Sequence, residues 1–479
     1  MVFGVLAASG PMCALGQTSV PASTPAGNPG RLPITTSSPE AAKLFEEGLR
    51  LSYNLHTEQA LAKLREATRK DPNFTQAWVY ILWTTSDPVE EKAAVEKALL
   101  TSQNATPGEK LLVKWLTSVE GGHFVDAITA MNDLLAMYPR DTELNFEAEI
   151  WLDGQREYEA AAKFGKRALE VDPNFVAALN NLAYDLAGMH QYDQAIPYLK
   201  RYVELEPGEP NPRDSLAEIL QKAGRLEESL AEYREALKLD PKYYTSQMGL
   251  GNDYALQGKQ DRAREEYAKA VPMASIPQDK LEAEIQSAVT YAREGNSKQA
   301  RLELSAVLDE ATKLQLTDYR NYIHQELALL TDSPAAALRE IDEAEAVLRG
   351  PGPLSPATRD AALGRILRMR ARIAAEAGNL EIARTAVARL QEMLQENHGY
   401  GTERSYHAAN GALLAAEKKT AAAIEELQQI PDEPFSMAKL AELQAAAGNT
   451  RDAAETRARL QADYRPYIED WLVVRKFRP

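Results

Sequence analysis

From Phe175 to Leu186 the apolar residues Leu179, Leu182, Ala183 and Leu186 recur at i, i+3, i+4 and i+7, the spacing of one helix face. Gly188 stands where that helix should end, and Asp193 is expected to cap the next one. This second helix carries Ala195, Leu199, Tyr202 and Val203 until Pro207 stops it. Pro197 falls near its first turn, where a missing N–H costs least, so little disruption is expected. The small Ala195 suits the point where the two helices of a hairpin approach most closely.

The hairpin recurs. Pro139, Pro173, Pro207 and Pro241 stand 34 residues apart, and Ala127, Ala161, Ala195, Ser229 and Ala263 keep the same interval. A constant period of this size means stacked supersecondary units rather than one globular core. The series Leu179, Leu182-Ala183, Leu186, Tyr192, Ala195, Pro207 resembles the tetratricopeptide repeat, as does Leu250-Gly251, Tyr254, Gly258, Ala263, Tyr267, Ala270. The resemblance implies an all-α fold, an α–α superhelix of about twelve helical hairpins, with the first helix of each pair on its concave side.

Around this ladder the chain divides by composition. Val2 to Leu15 is apolar but too short to span a bilayer, and Ala14-Leu15-Gly16 resembles a small-x-small cleavage site. Residues 1–16 are therefore expected to be a signal peptide and the protein to be exported. No Lys or Arg precedes the apolar run, which keeps a cytoplasmic protein as the alternative. Residues 17–39, rich in Pro, Ser and Thr, read as a flexible linker. Residues 40–278 read as the regular repeats, with Trp115 in a slot usually held by a small residue and expected to shift the helices there. Residues 279–463 read as irregular repeats. In them an Ala-x-x-Gly-Asn-x-x-x-Ala turn recurs from Ala292, Ala375 and Ala445, with Gly expected at positive φ. Breaks are expected at Ile276-Pro277, Gly350–Pro353 and Pro431–Pro434. Residues 464–479, with Trp471, Leu472 and Val474, are expected to cap the last open apolar end.

Charge and chemistry narrow the function. Asp and Glu number 70 against 54 Lys and Arg, a net charge of −16 that argues against a nucleic-acid footprint. Cys13 is the single cysteine, which leaves the body of the protein without a disulfide framework, a Cys-ligated zinc site or a thiol nucleophile. The six His show no metal-ligand spacing, and no nucleophile elbow, Walker loop or dinucleotide fingerprint occurs. No catalytic residue, cofactor or metal is expected. An enzyme site in the irregular repeats, with His398 and His407 as its suggestive pair, is a competing reading.

What remains is a surface. Asn180, Asn181, Tyr184, Asp214, Glu218 and Asn252 project beside the apolar stripes of first helices and are the candidate peptide-binding residues. By the resemblance, Asn181 and Asn252 match slots where the family places Asn against an extended peptide backbone; the alternative is that they satisfy neighbouring helix ends. The basic residues of repeats that grip a terminal carboxylate have no counterparts, since Asp214 and Glu218 stand in that region. The expected partner is a protein or extended peptide, uncharged or basic, and the expected function a non-enzymatic interaction scaffold. A cytoplasmic regulator or adaptor is the runner-up.

Overall fold

A computed structural model describes residues 30–53, 56–85, 87–331, 333–350, 354–396, 400–430 and 432–477. These residues form 25 α-helices, one short 3-10 turn and no strand. The first 24 helices follow one another as twelve helix–turn–helix units, the all-α repeat class expected from the period. The expected signal peptide, residues 351–353 of the Gly-Pro run, Pro431 and His398 lie outside the described residues.

The chain divides into two compact units at Met189 and His190, and the first also takes in the short stretch that ends at Thr358. In the first unit α1 spans Pro39–Tyr53, α2 Thr57–Lys70, α3 Thr75–Thr84, α4 Pro88–Ser102 and α5 Pro107–Glu120. It continues with α6 Phe124–Met137, α7 Thr142–Gly154, α8 Tyr158–Val171 and α9 Val176–Gly188. The second unit opens with α10 Tyr192–Leu205, α11 Asn211–Lys222, α12 Leu226–Leu239, α13 Tyr244–Leu256 and α14 Gln260–Ala270. Then come α15 Pro277–Arg293, α16 Ser297–Lys313, α17 Thr317–Leu329, α18 Pro334–Arg349 and α19 Pro356–Glu376. It closes with α20 Leu380–Glu396, α21 Tyr400–Ala416, α22 Thr420–Gln428, α23 Pro434–Ala446, α24 Thr450–Gln461 and the short α25 Ile468–Val474.

Both kinds of turn have a local cause. Within hairpins, Gly122, Arg156, His190, Gly224 and Gly258 all have positive φ, again at 34-residue intervals. The next amide reaches back over the helix end: Arg225 N–H donates to Leu220 O at 2.8 Å and Lys259 N–H to Tyr254 O at 2.9 Å, the Schellman arrangement. A Cβ on Gly258 would meet nothing within 4 Å, so the glycine there serves backbone conformation alone. At the equivalent place after α9 it is His190, not Gly188, that turns left-handed, and α10 starts with Gln191 at its N-cap. Asp193 consequently lies in the first turn of α10 rather than capping it, where its charge complements the helix dipole. Pro197 is accommodated within a continuous helix. Between hairpins, Asp71, Asp172 and Asp240, each followed by Pro, are extended, whereas Tyr138 before Pro139 and Glu206 before Pro207 have ψ of 61° and 60°. The three Asp carboxylates accept from the amides of Asn73, Asn174 and Lys242.

The helices of a hairpin meet through residue pairs 16 apart. A Cβ on Gly48 would come within 3.0 Å of Leu64, one on Gly411 within 2.5 Å of Leu427, and one on Gly251 into the Tyr267 ring. In the hairpin of α7 and α8 the sizes are exchanged: Glu149 fills the small slot, and a Cβ on Gly165 would overlap its carboxylate. Trp115, also in a small slot, is fully buried and meets Trp151 edge-on at 6.1 Å while α5 stays continuous.

Residues 31–38, expected as the end of a flexible linker, are held to the first unit. Leu32 N–H donates to Asp141 at 2.7 Å, Gln76 donates to Pro33 O at 2.6 Å, and Thr35 binds Glu109. Thr36 and the Ser37 amide both donate to Asp71. Burial raises the Asp71 pKa, but these bonds outweigh it and keep the carboxyl below its usual value. Composition marks this stretch as unable to form a core of its own; its polar groups instead satisfy acids at the repeat ends.

Gly165→Ala tests the exchanged pair. It should destabilise the chain by about 1–3 kcal/mol through overpacking, read as a lower urea midpoint, and Glu149→Ala in the same chain should recover part of the loss. A Gly165→Ala midpoint equal to wild type would contradict the assignment.

Candidate functional site

The six sequence candidates fall on first helices of both units. In the first unit Asn180, Asn181 and Tyr184 sit on α9, all partly buried, and Asn180 Oδ1 is buried with no hydrogen-bond partner. In the second unit Asp214 on α11 accepts from Ser246 Oγ at 2.6 Å, and burial pushes its carboxyl up to about 7. Glu218 pairs with Lys222 at 2.8 Å. Asn252 on α13 accepts a 2.8 Å hydrogen bond from the Tyr267 hydroxyl of α14, so its amide oxygen ties the two helices of its own hairpin. Asp214 similarly joins α11 to α13.

The first-helix face of the second unit carries a feature absent from the candidate list. After α24 the chain turns back as a return segment, residues 463–474, and lies against helix after helix of odd number. A Cβ on Gly224, just after α11, would come within 2.6 Å of the Tyr464 ring. Arg293 at the end of α15 donates to Pro466 O at 2.6 Å. Ile468 is 1 % exposed, in one apolar cluster with Leu281, Ile285 and Val289 of α15 and Ile323 of α17, and Trp471 and Leu472 pack against that cluster. Arg368 on α19 lies 3.6 Å from Glu469 and 3.8 Å from Glu433. Val473 joins Met437 of α23 and Leu460 of α24. Residues 464–479 are expected from sequence to cap the final hairpin; Val473 packs with α23 and α24 there, and Ile468 finds its apolar partners on α15 and α17.

The return segment is braced within itself. Arg465 bonds Asp463 and lies 2.7 Å from Asp470, and it donates to Asp432 O at 3.1 Å. Asp470 is buried, and burial together with neighbouring acids drives its pKa upward against the pull of Arg465. Glu326 on α17 is also buried with one oxygen unpartnered, and burial followed by Glu469 raises its pKa. Acidic groups of segment and groove thus oppose each other while Arg368 holds one of them.

Other titratable clusters have structural partners. His407 Nδ1 lies 2.6 Å from Glu426, and hydrogen bonds donated to Glu403 and Glu426 lift its pKa to about 9. His324 pairs with Glu340 at 2.8 Å. Among the described residues no group of three or more His, Cys, Asp or Glu could hold a metal, and no helix is long and apolar enough to cross a membrane.

In the first unit, Glu149 and Asp185 are fully buried on α7 and α9 with no conventional hydrogen-bond partner for either carboxylate. Burial raises both, Asp185 to about 9, and each raises or shares a proton with its acidic neighbours. Glu147 is pushed by burial to about 8. Folded values above the unfolded ones mean that the folded state binds the extra protons. The contribution of these acids to stability is therefore full below roughly pH 4 and is lost as pH rises through about 8 and 9. Melting followed from pH 5 to 9 should show this decline, and Glu149→Gln with Asp185→Asn should remove about half of it or more. A double variant with an unaltered decline would exclude these acids as its source.

The comparisons agree with this geometry at the level of the repeat. Residues 215–279 match the family model of the tetratricopeptide repeat. No curated protein matches the sequence. Among solved structures, a MamA fragment from Desulfovibrio magneticus RS-1 is 19% identical with a TM-score of 0.32, over 35% of this chain and 96% of that one. The APC/C hetero-tetramer Cut9–Hcn1 gives 14% identity and a TM-score of 0.41, over 84% of this chain and 76% of that one. YrrB, described as a TPR protein with an unusual peptide-binding site, gives 19% and 0.27, over 38% and 91%. At these TM-scores the likenesses carry no argument about where this chain binds anything. The 34-residue period, the recurring left-handed turn and the match over residues 215–279 make this chain a tetratricopeptide-repeat protein.

Proposed function

We propose that the protein is a non-enzymatic scaffold that binds a partner protein through an extended segment laid on first-helix faces. One observation carries this reading: in the second unit such a face already holds the chain's own return segment, whose non-helical residues 463–467 give a backbone carbonyl to Arg293 and whose helix α25 sets Ile468 in an apolar cluster. A backbone carbonyl and an aliphatic side chain are what any extended peptide offers, so the same groups suit a ligand from another protein. On the first unit, Asn181 and Tyr184 are the proposed contacts, an amide that can donate and accept beside an aromatic with a polar tip. Asp214 and Asn252 have hydrogen-bond partners within the protein, and Glu218 is the member of the second set that stays on the proposed surface.

Asn181→Ala should weaken partner capture by about 0.5–1.5 kcal/mol, roughly twofold to tenfold, with an unchanged melting curve. The measurement is binding to a partner identified by cross-linking to the full chain in its native host. Equal affinity of wild type and variant would remove Asn181 from the site. Asn252→Ala should instead lower the melting temperature, because it leaves the Tyr267 hydroxyl without its acceptor.

The apolar stretch Val2–Leu15 supports export as part of this proposal, with cleavage near Gln17, and an adaptor in the cytoplasm is the alternative. N-terminal sequencing of the protein made in its host decides between them: a chain beginning at or near Gln17 is expected, and an uncleaved start would favour the adaptor.

A further inference from the structure

The return segment shows what its groove recognises, and this inference rests on the scaffold reading. Four seats can be read from it in order. The surface after α11 takes the face of Tyr464, where Gly224 leaves room for the ring. Arg293 takes the Pro466 carbonyl. The cluster of Leu281, Ile285, Val289 and Ile323 takes Ile468. Arg368 takes the Glu469 carboxylate, and Arg365, one turn before it on α19, adds a second guanidinium near that end. The acidic character expected of this face is muted, since Asp214 is bonded to Ser246 and Glu218 is paired with Lys222.

The occupant fits this groove imperfectly. Tyr467, at the middle of the segment, is 51 % exposed. The buried Glu326, with an unpartnered oxygen, lies among Glu469, Asp470 and Glu282, so like charges crowd one seat. Glu469 thus gains from Arg368 and loses to Glu326. A segment held by a net balance of this kind is displaceable, whereas one locked by matched charges would not be.

We propose that the first-helix face of the second unit, from Gly224 to Arg368, is a docking site for a partner peptide bearing an aromatic residue, an aliphatic residue four positions on and a carboxylate directly after it, and that residues 463–474 close this site as an internal competitor. Partner binding then requires release of the return segment, and the affinity seen from outside is reduced by the fraction of molecules in which the groove is closed. The first step of capture is intramolecular opening, so loosening the segment raises apparent affinity without touching the groove.

The test uses the full chain and, as probe, a fluorescein-labelled synthetic peptide with the sequence of residues 463–474, followed by fluorescence anisotropy. Wild type should bind it weakly, and the chain carrying Ile468→Ala with Glu469→Ala roughly tenfold more tightly. Adding Arg368→Glu to that chain should abolish the gain, and a probe with Glu469→Lys should bind less well than the native probe. If the double variant does not fold, Glu469→Ala alone should give the same order in smaller steps. A loosened chain with an intact helical spectrum that binds no better than wild type overturns the proposal, as does preference for the Lys-bearing probe. Dimerisation of the loosened chain in sedimentation would make a second copy the occupant and also overturn it. Probe binding as expected, with no host protein retained by the loosened chain, would uphold the closed groove and remove the scaffold reading. A host partner held equally by wild type and loosened chain would uphold the scaffold and remove the internal competitor.

Discussion

Everything in this fold depends on how closely the two helices of a hairpin can approach. One residue of each contacting pair must be small, and the pairs Gly48 with Leu64, Gly251 with Tyr267 and Gly411 with Leu427 satisfy this in the usual order. Glu149 and Gly165 satisfy it in reverse, which keeps the summed volume while placing a carboxylate in the core. Constant helix separation sets a constant turn, and a constant turn calls for a left-handed residue at the same place. Arg156 and His190 accept that conformation at a cost of roughly 1 kcal/mol relative to glycine, because the stacked helices over-determine the turn.

Stacked repeats contact chiefly their neighbours, so their first-helix faces are left to be covered by something else. In the second unit the chain covers its own, and the cover offers a backbone carbonyl before α25, an aliphatic anchor and a charge. In the first unit residues 31–38 do comparable work at the repeat ends, bonding the carboxylates of Asp71, Glu109 and Asp141. Both stretches are short and polar-rich, and neither could order itself without the acids, arginines and apolar seats that receive it.

The candidate site was legible only in part. First-helix polar residues can be picked from periodicity, which is why Asn252, Asp214 and Glu218 were identified together. Periodicity does not say which of them is already bonded. The Tyr267 hydroxyl reaches Asn252 because the paired helices are close, and Ser246 reaches Asp214 from the next repeat; neither contact leaves a mark in the stripe pattern. Arg293 and Arg368 were missed for a related reason. They lie near helix ends or in weakly periodic units, and their role appears only once Pro466 and Glu469 are seen beside them.

Sequence alone determined what depends on short-range physics: the helical class, about twelve hairpins, and positive φ at Gly295, Gly378 and Gly448. Each follows from residues within one repeat, and repetition amplifies the signal. Tertiary structure decided what depends on residues far apart: the division at Met189, the anchoring of Leu32 to Asp141 across 109 positions, and the return of Pro466 to Arg293 across 173 positions. Such contacts occur once, so no period records them; they form because stacking brings distant polar groups and apolar seats onto one surface where a passing chain can satisfy them.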